Sequence, residues 1–140
     1  MKDLSVLDNL IVGRVEPHIY AFSTNTVPNY LKVGDTYRPV TTRLKEWRQV
    51  YPDLEQKFEA RAKVAEDTYF RDYAVHHFLE SDRGLLRLRP SDIEKGVYYS
   101  NEFFCNATAA HVAEAIADIY SDYTEKTNKY QFYCAKTRLI

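Results

Sequence analysis

His18–Thr36, "HIYAFSTNTVPNYLKVGDT", is the stretch on which the reading of this chain turns. Its opening residues alternate, so that His18, Tyr20 and Phe22 fall on one face of a strand and Ile19 and Ala21 on the other. "STNTVPN" is turn chemistry. Residues 30–34 then alternate again, with Tyr30, Lys32 and Gly34 on one face and Leu31 and Val33 on the other. The alternation predicts two strands joined by a polar loop. It does not by itself explain why the first strand carries a tyrosine and the second a lysine followed by a glycine; if the two strands pair, Tyr20 and Lys32 can project from the same face.

Downstream, "RPVTTRLKEWRQVYP" predicts a helix. Pro39 suits its first turn, Val40, Leu44, Trp47 and Tyr51 make an apolar stripe, and Pro52 ends it. Arg43 lies beside the stripe and would emerge at the edge of the core. Residues 56–65 alternate Phe58, Ala60, Ala62 and Val64 against polar neighbours, predicting a third strand. "EDTYFRDYAVHHFLES" reads as a helix capped by Asp67, with Phe70, Tyr73, Ala74 and His77 inside and with Asp72 and His76 one turn apart on a common face. Ser81–Gly96 reads as a long loop and "VYYSNEFFCN" as a short strand or extended segment. "ATAAHVAEAIADIYSDY" reads as a helix capped by Asn106, burying Val112, Ile116, Ile119 and Tyr123. The tail "KYQFYCAKTRLI" is aromatic and is either a last strand or the start of something longer. Two strands, helix, strand, helix, loop, helix is the order of an α/β (α+β) domain. It predicts a small, largely antiparallel three-stranded sheet flanked by helices.

A chain of 140 residues, 45% hydrophobic and 28% charged, is of the size and composition of one globular domain. No apolar run is long enough to span a bilayer, and "MKDLSVLDNL" places acids where a signal peptide carries bases. Cys105 and Cys134 are too few for a zinc motif or a disulfide framework, and read as buried thiols in a reducing, cytoplasmic compartment. A net charge of −1 argues against a uniformly basic nucleic-acid binder, yet Lys32, Arg38, Arg43, Lys45 and Arg48 crowd one short stretch against only Asp35 and Glu46. A second basic group, Arg83, Arg87, Arg89 and Lys95, reads as a solvated face.

Taken together, "HIYAFST", "LKVGDT" and "YRPVTTRLKEW" resemble the GIY-YIG nuclease family, in particular its phage-associated branch. His18 stands for the glycine of the first motif, and Lys32 and Val33 stand for the tyrosine and isoleucine of the second. Arg43 sits where the family carries its helical arginine. The branch writes Lys-Ile-Gly, then an acid and a histidine one turn apart, then Glu-Trp/Phe-Phe; this chain supplies Asp72, His76 and "NEFF" with Glu102. Asp72 is one methylene shorter than the usual glutamate. Each motif alone is weak: a strand-end lysine is ordinarily solvated, and a helical arginine is ordinarily a surface ion-pair partner. Their joint order and spacing cover residues 18–123. The resemblance implies a nuclease domain there, a lead-in arm over 1–17, and a C-terminal extension over 124–140 that begins a link to a further, fused domain.

The implied activity is endonucleolytic hydrolysis of DNA by the first part of a restriction, repair or mobile-element protein. The alternative is a decayed module of the same fold that binds nucleic acid or a protein partner without cutting. In the hydrolytic reading Lys32 polarises Tyr20 or orients the attacking water while Tyr20 accepts or relays its proton, or else Lys32 is itself the base. Arg43 binds the non-bridging phosphate oxygens. One hard divalent cation, Mg²⁺ or Mn²⁺, is held by Asp72, with Glu102 as a further ligand or as a group beside it, and stabilises the leaving oxygen. His76 hydrogen-bonds a phosphate, moves a proton or orients the acid. Lys45 and Arg48 track the backbone without reading bases.

Overall fold

In the computed structural model, which describes residues 16–89 and 100–134, the hairpin forms as its alternation predicts. β1 (His18–Ser23) and β2 (Tyr30–Thr36) pair antiparallel, with Tyr20 opposite Gly34 and Phe22 opposite Lys32. There follow α1 (Val40–Trp47), β3 (Glu55–Arg61), β4 (Lys63–Ala65), β5 (Thr68–Tyr69) and α2 (Asp72–His77), which runs on into a π-helical turn (Phe78–Asp82). β6 (Phe103–Cys105), α3 (Ala109–Glu125) and β7 (Tyr133–Cys134) complete the described chain. The predicted arm, apart from Glu16 and Pro17, lies outside the described residues, as do Lys95 and the tail beyond Cys134.

β3 adds to the free side of β1 and β6 to the free side of β2. The main sheet is therefore antiparallel with order β3-β1-β2-β6, four strands where three are predicted. The extra strand is "FFC" of the segment read as a short strand or extended segment. Both faces of the sheet are covered, which is why both faces of the hairpin are apolar. Tyr20, Phe22 and Phe103 pack under Val40, Leu44 and Trp47 of α1 and under Tyr51. Ile19, Leu31, Val33 and Phe104 pack under α2 and α3. Consecutive Phe103 and Phe104 thus serve opposite layers, as strand period demands. Among the described residues no helix is long and apolar enough to cross a membrane.

Several local expectations are corrected. The strand predicted over 56–65 breaks at Ala62, whose N–H donates to Pro17 O (2.9 Å) and whose carbonyl accepts from Phe70 N (3.1 Å). Beyond it β4, β5 and β7 form a second small sheet, order β4-β5-β7. Asp67 therefore occupies the tight turn between β4 and β5 and caps no helix. α2 starts only at Asp72, and its phase shifts accordingly. Val75, His76, Phe78 and Leu79 point inward, Tyr73 is 46% exposed, and His77 lies outside.

The cap of α3 is Thr108, which shares a capping box with His111, and Asn106 instead takes a left-handed backbone (φ 58°) in the turn before it. Tyr123 is half-buried, while Ala115 and Asp122 take inner positions on α3. The Asp122 carboxylate accepts from the backbone N–H groups of Lys129 (2.8 Å) and Tyr130 (2.9 Å), folding residues after α3 back so that Tyr130 and Phe132 reach the core. Both cysteines are free, and both are half-buried rather than buried. Within the predicted loop Leu88 is buried and Arg87 bridges to Phe104, while Arg83 pairs with Glu114 and Arg87 with Glu80.

Candidate functional site

Gly34 accounts for the company it keeps. A Cβ there would lie 2.8 Å from Lys32 Nζ and 2.9 Å from the Tyr20 hydroxyl. The two side chains therefore meet over a backbone position that only glycine leaves open. Lys32 Nζ lies 3.4 Å from the Tyr20 oxygen, at the long end of hydrogen bonding, and Trp47 Nε1 donates to that oxygen at 2.8 Å.

Lys32 is not solvated: its exposure is 0%. Burying an ammonium is tolerable only with compensation, and two kinds are present. The rings of Trp47, Tyr20 and Phe22 surround it at 4.5, 5.1 and 5.9 Å, and Glu102 Oε1 accepts from it at 2.6 Å. Glu102 enters from the start of β6, whose pairing sets Phe103 opposite Lys32.

Glu102 also faces the other way. Ligand atoms from Asp72, His76 and Glu102 all lie within 4.8 Å of one another. α2 is pinned beside this cluster. Asp35, at the end of β2, accepts from the Asp72 backbone N–H (2.9 Å) and from Arg71 Nε (2.7 Å). His76 Nε2 donates to Val33 O (2.8 Å), and its ring lies 5.0 Å from that of Phe104. A carbonyl can only accept, so Nε2 carries the proton and Nδ1 is left to ligate.

Electrostatics within the cluster are asymmetric. Burial, followed by the charges of Asp35 and Glu102, pushes the Asp72 carboxyl up to about 8. Burial acts in the same direction on Glu102, but the charge and hydrogen bond of Lys32 outweigh it and hold Glu102 below the usual carboxylate range. Burial lowers His76. The pair of acids thus keeps one proton on Asp72 and one charge on Glu102. Two carboxylate oxygens and one imidazole nitrogen, already crowded at a cost that a cation would relieve, are a fitting donor set for a divalent ion. The nitrogen suits Mn²⁺ better than Mg²⁺.

Arg43 occupies the other rim. Its guanidinium stacks on Trp47 (4.8 Å), donates to Glu46 Oε1 (2.9 Å) and is close enough to Tyr20 to feel the phenol. Burial works against its charge, but Glu46 and Tyr20 outweigh it and raise its pKa. Tyr20, Lys32, Arg43, Asp72, His76 and Glu102 are therefore contiguous, with Tyr20 (1% exposed) and Lys32 as floor. Lys45 on α1 and Arg48 just past its end are exposed but do not join them. At about 100° per residue they lie roughly 160° and 140° around the helix from Arg43.

Trp47, Glu46, Arg38 and Asp35 are site neighbours that the sequence reading leaves unassigned. For Trp47 a signal existed: a buried indole N–H needs an acceptor, and it stands one turn beyond Arg43. No protein-family model, curated protein or solved structure matches this chain.

Proposed function

We propose that this domain is a divergent GIY-YIG-type endonuclease that hydrolyses DNA phosphodiester bonds with a divalent cation. The observation that carries the reading is Glu102, bonded at 2.6 Å to the ammonium that meets Tyr20 over Gly34 and grouped within 4.8 Å with Asp72 and His76. Side chains distant in sequence are thereby grouped, with Tyr20 and Lys32 on the side that would handle the proton and Asp72, His76 and Glu102 on the side that would hold the ion.

Asp72, Glu102 and His76 Nδ1 would hold the ion, which supplies charge relief at the leaving 3′ oxygen. The chain's own groups do the rest. Arg43, 32% exposed at the rim, offers its planar fork to the non-bridging oxygens. Lys32 donates to both Glu102 and Tyr20, so its hydrogens orient those groups. Tyr20, fixed by Trp47, is left to orient the attacking water and relay its proton. Arg43→Ala removes one preorganised electrostatic donor and should cost about 3–4 kcal/mol of transition-state stabilisation, a loss of two to three orders of magnitude in plasmid nicking. The wild-type reaction should need Mn²⁺ or Mg²⁺ and stop with EDTA. Nicking by Arg43→Ala at the wild-type rate would overturn the assignment.

One observation favours a second reading. Tyr20 and Lys32 are 1% and 0% exposed, so water reaches the phenol only when the rim parts. A site that stays closed is a binding module, and it would retard DNA in a gel without cutting it and without need of metal.

A further inference from the structure

The basic stretch after the hairpin divides in space. Arg43 and Glu46, three residues apart, share one flank of α1, whereas Lys45 and Arg48 fall on the other. Arg38, in the turn between β2 and α1, joins the first group. Both of its Nη atoms donate to Glu46, Nη2 to Oε1 at 2.7 Å and Nη1 to Oε2. Arg43 Nη1 shares Oε1 at 2.9 Å. One carboxylate thus brackets two guanidiniums, and the Arg38 hydrogen bonds followed by those of Arg43 keep Glu46 below the ordinary carboxylate range. The trio carries a net positive charge. It stands 32–38% exposed, next to Tyr20.

A guanidinium has five N–H donors, and Glu46 engages only part of each fork. The backbone behind Arg38 is fixed as well, its N–H donating to Thr36 Oγ1 at 3.0 Å at the end of the strand that carries Lys32 and Gly34. A surface ion pair of this kind contributes little to stability, so folding gives little reason for two arginines on one acid.

We propose that Arg38 and Arg43 form a two-pronged grip on the nucleic-acid backbone, Arg43 on the reacting phosphate and Arg38 on its neighbour, with Glu46 setting their separation. The ligand class rests on the nuclease reading. Arg38 is then a binding residue, and its loss falls on substrate affinity rather than on the chemical step.

The test is anisotropy titration of a short fluorescein-labelled DNA duplex across a salt series, with Ca²⁺ in place of the active ion, alongside nicking kinetics. Arg38→Ala should bind about tenfold more weakly and flatten the slope of log affinity against log salt by about 0.9, one phosphate contact. It should raise KM while Arg43→Ala lowers kcat. Arg38→Lys should recover the slope and part of the affinity, since charge is restored without the fork. A wild-type salt slope and KM in Arg38→Ala overturn the grip, even where the wild-type protein cuts. A flattened slope in a protein that never cuts supports the grip and removes the hydrolytic reading instead.

Discussion

A side chain at Gly34 would have to enter space already held by the Lys32 ammonium and the Tyr20 hydroxyl, at 2.8 and 2.9 Å. The lysine end is flexible in principle, but here it is caged by three rings and tied to Glu102, and the tyrosine ring cannot give way. Gly34→Ala is therefore expected to destabilise the fold by about 1–3 kcal/mol, as overpacking does, and to separate the two groups. Urea denaturation and nicking together check this; a variant with unchanged stability and activity would show that Lys32 is free to swing aside. That Lys32 and Gly34 share a face of one strand was legible from alternation; that Tyr20 joins them was legible only on the condition that the two strands pair, and the register of Tyr20 opposite Gly34 meets it. The burial of Lys32 was not, because it depends on Glu102, far away in the chain, and on a tryptophan whose place over the lysine only tertiary packing decides.

Among the elements, the hairpin, α1 and α3 were readable because their apolar spacing is strong and agrees with their final burial. α2 was readable in existence but not in phase. The helical pattern was extended back to Asp67, through residues that pair as β5, and the acid that meets the true first turn is Asp35 from the end of β2. One consequence is that the inner face is one residue out of step with the prediction, although Asp72 and His76 remain one turn apart. The start of α3 was missed by two residues for a similar local reason. Asn106 favours the left-handed turn that precedes the helix, and Thr108 makes the reciprocal bonds with His111, the backbone N–H of each meeting the other's side chain at 3.1–3.2 Å. Thr108→Ala should therefore cost about 1 kcal/mol of stability in denaturant unfolding. An effect near zero would mean that α3 is held by its buried stripe alone.

For the whole molecule, the cluster beneath α2 couples stability to pH. Asp72 holds its proton to about 8 in the folded chain against an ordinary value of 3.8. Between those values the folded state keeps a proton that the unfolded state has released. This group's contribution is therefore complete below about pH 4 and lost as pH rises through about 8. Asp72→Asn should flatten that decline. A divalent cation takes the proton's place, so stabilisation by Mn²⁺ should grow with pH. Tm measured across pH, in EDTA and in Mn²⁺, checks both; identical pH slopes in wild type and Asp72→Asn would exclude this carboxyl as their source. The mixed antiparallel architecture was legible because the order of periodic segments allows few alternatives. A short strand within "VYYSNEFFCN" and one within the tail were each legible as alternatives, but the joining of β6 to the main sheet and the second small sheet were not, since strands of two or three residues carry too little pattern and are made by their partners.

Trp47 is the single tryptophan of the chain, and its ring lies 4.5 Å from one cationic group and 4.8 Å from another. Excited at the red edge of indole absorption, the protein therefore emits from the centre of its own candidate site. Any occupant that draws Lys32 or Arg43 away alters that light directly, so the unlabelled protein carries an optical gauge of what enters.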